Sequence, residues 1–179
     1  MDPLPLDIDW ITPQLSIGGR FPMEAASSLS RELGITRVVD LRSECCDDEE
    51  VLRAYGVVLL SLPTQDCCAV SQEMLDRGVA WVLAQLEAGR RIHIHCEYGI
   101  GRSALLALCV LSAQRMPPLE ALRTVKQARW MVSPSPGQLG AFRTWVERHG
   151  GTAPPLQALF DIAYAHLREE ELGIGTAGG

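Results

Sequence analysis

Hydrophobic and polar positions change period several times along the chain, and each change marks an element. Residues 8–11 and 15–17 read as short strands around a Thr12-Pro13 turn, and Gly18-Gly19 breaks the second. Pro22 opens a helical stretch to about residue 33, which Gly34 closes as a C-cap does. Residues 36–41 are β-branched and few, as in a buried strand. The acidic run Asp47-Asp48-Glu49-Glu50 suits the start of a short helix, where negative charge meets the dipole, and Gly56 ends it. Residues 57–60 form another buried strand, with Leu62-Pro63-Thr64-Gln65-Asp66 as a loop after it. From Ser71 a helix runs to about Glu87, with Leu75, Val79, Val82, Leu83 and Leu86 at three-to-four spacing, and Gly89 stops it. Residues 91–95 alternate as a strand. A glycine-bearing turn follows, then an apolar helix from about Ser103, then helices over 119–128 and 136–149.

Strand and helix alternate, which predicts an α/β fold: a central, mainly parallel sheet of about four to five strands flanked by helices. The sequence divides into a body, residues 1–150, and an appendage, residues 151–179. The stretch Gly150-Gly151-Thr152-Ala153-Pro154-Pro155 reads as a hinge, and residues 156–171 as one amphipathic helix that docks on the body or self-associates. Residues 173–179 read as a disordered tail.

Composition narrows the class. The 179 residues fit one core, with 47% hydrophobic and 21% charged positions. A net charge of −6 argues against nucleic acid or an anionic membrane surface as partner. The start, Met1-Asp2-Pro3-Leu4-Pro5-Leu6-Asp7, carries no basic segment and no long apolar run, and no uncharged stretch reaches a membrane span. A cytoplasmic setting is therefore expected, with the six cysteines as thiols. The adjacent pairs Cys45-Cys46 and Cys67-Cys68 lack the C-x2-C spacing that wraps zinc, so neither metal nor cofactor is expected.

The chemistry concentrates in His95-Cys96-Glu97-Tyr98-Gly99-Ile100-Gly101-Arg102-Ser103, between a predicted strand and a predicted helix. A turn of this kind can aim the backbone N–H groups of Glu97, Tyr98, Gly99, Ile100, Gly101 and Arg102 at one point, and the helix N-terminus adds partial positive charge. A cysteine at its base is driven toward the thiolate. Arg102 can grip two oxygens of a phosphate with its planar fork. Ser103 can donate to the sulfur, and His95 can orient the loop.

The H-C-x5-R-S pattern resembles the protein tyrosine phosphatase superfamily, and H-C-E-Y-G-I-G-R-S resembles its compact dual-specificity branch. The flanking V-V-D-L-R at 38–42, L-P-T-Q-D at 62–66 and S-P-S-P-G-Q at 133–138 fit the same pattern, so the likeness covers roughly residues 8–149. It implies a metal-free phosphomonoester hydrolase with Cys96 as nucleophile, a phosphocysteine intermediate and Asp66, about 30 residues upstream, as general acid. Gln138 would position the attacking water or be an exposed helix glutamine. Asp40 reads as structural, the Glu97 side chain as pointing to solvent, and Tyr98 as packing on a neighbouring loop or flanking a substrate ring. The short chain implies a shallow cleft open to phosphotyrosine, phosphoserine and phosphothreonine. The alternatives are a lipid, sugar or nucleotide monophosphate as substrate, or a non-catalytic phosphate-binding module. Cys67 and Cys68 read as inert thiols, or as traps for an oxidised Cys96.

Overall fold

A five-stranded sheet runs through the computed structural model, which describes residues 6–171. In chain order the strands are β1 (Ile8–Trp10), β2 (Leu15–Gly18), β3 (Ile35–Arg42), β4 (Val58–Thr64) and β5 (Arg91–His95). They lie side by side as β1-β2-β5-β3-β4; β1 pairs antiparallel with β2, and the other pairings are parallel. β5 is thus the middle strand, and whatever follows His95 emerges at the centre of the sheet. The expected α/β class is what the chain adopts.

Alternate residues of each strand face opposite sides, except that the register of β3 with β5 slips between Ile35 and Arg37, which leaves Ile35 on the same side as Val38. On one side Val38, Ile35 and Val57 meet Ala26 and Leu29 of α1 (Ala26–Arg31) and Leu52 of α2 (Glu49–Ala54). On the other, Val39, Leu41, Ile92 and Ile94 pack beneath α3 (Gln72–Glu87) and α4 (Arg102–Ala113), with α5 (Pro118–Ala128), α6 (Pro136–Arg148) and α7 (Leu156–Ala163) outside them. Every residue from Arg102 to Leu111 is buried, so α4 is surrounded, as its all-round apolar sequence requires.

Three expectations change. The helical stretch after Pro22 is a 3-10 turn, Met23–Ala25, followed by the short α1. Leu62, Pro63 and Thr64 belong to β4 rather than to a loop. β4 is an edge strand, where a proline's missing N–H is tolerated. The register with β3 also slips there: Asp40 pairs with Ser61 but Arg42 with Thr64, so β4 carries one extra residue beside Pro63. Finally, the helix expected over 156–171 is two, α7 and α8 (Ala165–Glu171), separated at Tyr164. The Tyr164 hydroxyl donates to the Pro134 carbonyl at 2.6 Å, and Leu159 and Ala163 are fully buried, so α7 docks on the body. The tail over 173–179 lies outside the described residues. Among the described residues no helix is long and apolar enough to cross a membrane.

Candidate active site

Cys96 follows β5 directly, and α4 begins at Arg102, so residues 96–101 form a loop between the central strand and the most buried helix. Gly99 has φ +67°, and a Cβ there would lie 2.4 Å from the Gly18 carbonyl carbon. The loop thus lies against the end of β2 at a point that only glycine fits.

The direction of each peptide in this loop is fixed from outside. The carbonyl of Cys96 lies 3.3 Å from His95 Nδ1. The carbonyls of Glu97, Ile100 and Gly101 accept from the backbone N–H groups of Arg20, Ser133 and Leu105. Those of Tyr98 and Gly99 accept from Arg129 Nη2 and Nε at 2.8 and 3.0 Å. Among the described residues no peptide is cis, and in a trans peptide N–H points opposite to C=O. The N–H groups of 97–102 therefore turn to the inner side, which makes an anion cradle. Arg129, buried among Asp7, Asp9 and these carbonyls, has no signature in the loop motif. Burial opposes its charge, but its bonds to Asp7 and Asp9 raise its pKa above the ordinary value.

At the base of the cradle Cys96 is 3% exposed, with its Sγ 3.4 Å from the fully buried Ser103 Oγ. Arg102 is 1% exposed. Its Nη1 donates to the Thr64 carbonyl and to Glu44 Oε2, both at 2.8 Å, and its Nη2 to Glu44 Oε1 at 2.7 Å. Asp66 Oδ1 lies 3.0 Å from Nη2. Arg102 Nε is buried without a partner, the one edge of the fork left for a ligand. Burial works against the guanidinium charge, yet the bond it donates to Glu44 and the charges of Cys96, Glu44 and Asp66 keep its pKa above the ordinary value. Glu44 in turn is pulled down to about 2 by its hydrogen bond to Arg102. Sequence reasoning missed Glu44, which sits beyond β3 in a loop that looks like any polar turn.

Behind the cradle lies a buried cluster. Arg42 donates to both Asp40 oxygens at 3.0 Å and to Asp47 Oδ1 at 2.7 Å; His95 Nε2 donates to Asp47 Oδ2 at 2.7 Å. Asp47, expected with its neighbours at the start of a helix, has a side chain 1% exposed; the helix cap is Asp48, which accepts from the N–H groups of Glu50 and Val51. Asp40, Asp47 and His95 are close enough to hold a metal ion, but the Arg42 guanidinium already supplies the cation among them. Asp40 is fully buried and also accepts from the Asp47 N–H at 3.0 Å. Glu97 does not simply point to solvent: Arg20 and Arg42 draw it in at 3.1 and 3.5 Å. Tyr98 is 62% exposed rather than packed on a neighbouring loop.

Gln138 is 2% exposed, so the exposed-glutamine reading is wrong. It completes a capping box with Ser135 at the start of α6, and its Nε2 donates to the Cys68 carbonyl. Cys67 and Cys68 are exposed. A cleft of about 380 Å³ above the cradle is lined by Ser43, Glu44, Gln65, Asp66, Glu97 and Tyr98. A larger cavity, about 560 Å³ between α3, the end of α4 and α6, contains none of these residues.

Comparison with known proteins agrees with this geometry. The family model for the dual specificity phosphatase catalytic domain matches residues 22–148. The human phosphatidylglycerophosphatase and protein-tyrosine phosphatase 1 is 25% identical over 145 residues, covering 75% of this chain and 72% of the relative. The human dual specificity protein phosphatase 2 is 33% identical over 121 residues, covering 65% of this chain but 37% of that longer relative. Among solved structures, PTPMT1 in complex with PI(5)P superposes with a TM-score of 0.74 at 21% identity, covering 79% of this chain and 96% of that one, a likeness of fold.

Proposed function

The chain belongs to the dual specificity phosphatase family, and on that premise we propose that it hydrolyses phosphotyrosine and phosphoserine or phosphothreonine in proteins through a phosphocysteine on Cys96. The observation that carries this reading is the juxtaposition of three things: a buried thiol, a loop whose carbonyls from Glu97 to Gly101 are bonded outward, and an unpartnered Arg102 Nε.

In the first step the Cys96 thiolate attacks phosphorus in line. The S–P bond forms as the P–O ester bond breaks, and Asp66 gives its proton to the leaving oxygen. Inward N–H groups and the Nε edge of Arg102 hold the equatorial oxygens. In the second step water attacks phosphorus and passes a proton to Asp66, while Ser103 donates to the departing sulfur, 3.4 Å away. The loop amides and Arg102 furnish the positive charge, so the residues 97–102 form the phosphate site, with His95 orienting the loop from behind.

The cleft lining favours a single phosphate. Glu44, Asp66 and Glu97 stand around it, and a second phosphate group would meet like charge. Exposed Tyr98 offers an apolar side to a phosphorylated side chain. A lipid monophosphate is the second reading, favoured by the likeness to a relative named as a phosphatidylglycerophosphatase. A reducing cytoplasmic setting suits a thiolate nucleophile, which oxidation would disable.

The test is steady-state hydrolysis of p-nitrophenyl phosphate across pH, in EDTA and reductant, by wild type, Cys96→Ser and Asp66→Asn. Turnover abolished by the serine and a lost basic limb in the asparagine variant support the mechanism. Activity surviving in Cys96→Ser would overturn it, and absence of wild-type turnover would favour a phosphate-binding module. Phosphopeptides set against phosphatidylglycerophosphate vesicles then separate the two substrate readings.

A further inference from the structure

Gln138 and Ser135 lie at the start of α6, more than sixty residues after the loop that carries Asp66. The structure nevertheless ties the two together at consecutive carbonyls. Ser135 Oγ donates to the Cys67 carbonyl and Gln138 Nε2 to the Cys68 carbonyl, each at 3.0 Å. The glutamine is itself locked: its Oε1 accepts from the Ser135 N–H at 2.8 Å, and its own N–H donates to Ser135 Oγ at 3.3 Å. It also abuts the phosphate cradle, since a Cβ on Gly101 would lie 2.5 Å from Gln138 Oε1. Cys67, next to Asp66, has φ +60°, a left-handed conformation that a residue with a Cβ adopts only where its surroundings impose it. The Asp66 side chain is 55% exposed and gains little from packing of its own.

We propose that Ser135 and Gln138 are positioning residues for the general acid. They hold the left-handed turn at Cys67 so that the Asp66 carboxyl stands over Arg102, 3.0 Å from its Nη2. The glutamine then serves departure of the leaving group, not delivery of water: its oxygen is committed to the Ser135 N–H and one amide hydrogen to the acid loop. The proposal rests on the reading of Asp66 as general acid.

The experiment compares a phosphate ester with a good leaving group, p-nitrophenyl phosphate, with one with a poorer leaving group, phenyl phosphate. The variants of the full chain are Ser135→Ala, Ser135→Thr, Gln138→Glu, Asp66→Asn and the double variant Asp66→Asn/Ser135→Ala. Gln138→Glu keeps the acceptor and loses the donor. Half-buried Ser135 supplies a variant less exposed to folding failure. A misplaced acid is expected to lower kcat for phenyl phosphate by about tenfold to a hundredfold and for p-nitrophenyl phosphate by much less. Ser135→Ala and Gln138→Glu should both show this, with a flattened basic limb and no burst of phenol. Ser135→Thr should restore the rate, and Ser135→Ala should cost nothing further in the Asp66→Asn background. Equal losses on both esters, a new burst marking slowed water attack, or an additive loss in the double variant would each overturn the proposal. If Asp66→Asn alone left the leaving-group dependence unchanged, the acid assignment itself would fall; that outcome is read from a different variant.

Discussion

Replacing Asp47 by asparagine discriminates between the position its sequence suggests and the one it occupies. As an exposed residue ahead of a helix it would contribute ~0.3–1 kcal/mol through the helix dipole. In the structure its carboxylate accepts from Arg42 Nη2 and His95 Nε2, each at 2.7 Å, with the side chain 1% exposed. A bond to a charged group is worth about 1.5–3 kcal/mol, and losing one member of a buried pair costs roughly 3–5 kcal/mol. Asparagine keeps one acceptor but turns an N–H toward donors. Arg42 also retains Asp40 through two bonds at 3.0 Å, which softens the loss. The net destabilisation is about 2–4 kcal/mol, or about 5–12 °C in Tm for a domain of this size.

The assay is urea unfolding at pH 7, with Glu49→Gln as control. Glu49 lies two residues away and pairs with Arg53 on the surface, with side chains 60% and 69% exposed, so its loss should stay within ~0.5 kcal/mol. The functional readout is competitive inhibition by inorganic phosphate. His95 faces the Cys96 carbonyl, and a reoriented ring loosens the cradle, so inhibition should weaken by about tenfold. The reasoning is refuted if Asp47→Asn unfolds at the same urea concentration as Glu49→Gln.

Two further outcomes are expected. Glu44→Gln should lose about 1–2 kcal/mol at pH 7, less than its depressed pKa alone would give because the side chain is 40% exposed to screening water; the carboxylate's contribution is present above its unfolded value near 4.5 and is lost as pH falls through about 2, so wild-type and variant unfolding curves should converge between those values. Arg129→Met should keep the fold through its aliphatic stem yet release the Tyr98 and Gly99 carbonyls, reducing kcat/KM by at least about tenfold with little change in leaving-group dependence, as measured with the two aryl phosphates.

The α/β class was legible because each strand and helix has its own period and stop signal, and the loop 96–103 because strand, turn and helix N-terminus are contiguous in sequence. Asp66 was singled out by the family resemblance, about 30 residues before the cysteine, while the strand before it runs on to Thr64, past the expected end at residue 60. What stayed hidden depends on distant partners. Asp47 and Asp48 are adjacent and chemically identical, yet one is buried because Arg42 and His95 converge on it and the other caps α2. Glu44 and Arg129 carry no local pattern; their roles arise where Arg102 and the 98–99 carbonyls need partners. Gln138 is buried because Gly101, across from it, leaves room for the amide. The break at Tyr164 follows no stop signal, only a hydroxyl that reaches Pro134.

On the proposed reading the cradle receives a dianion inside a chain of net charge −6, which requires that attraction act at short range. The arginines around it are each held by carboxylates: Arg102 by Glu44 and Asp66, Arg129 by Asp7 and Asp9, Arg42 by Asp40 and Asp47, and Arg20 by Glu97. Their long-range fields are largely cancelled, and opposite charges in contact project little beyond a Debye length. What remains unpaired toward the cleft is directional: backbone N–H groups and the Nε edge of Arg102. Such donors reward an oxyanion placed within hydrogen-bond reach and offer nothing to one a few ångströms off. The carboxylates that orient the donors also stand at the rim, where they repel any further anionic group. On the proposed reading, recognition of one tetrahedral phosphate and repulsion of a second phosphate group both follow from the same acid–arginine pairs.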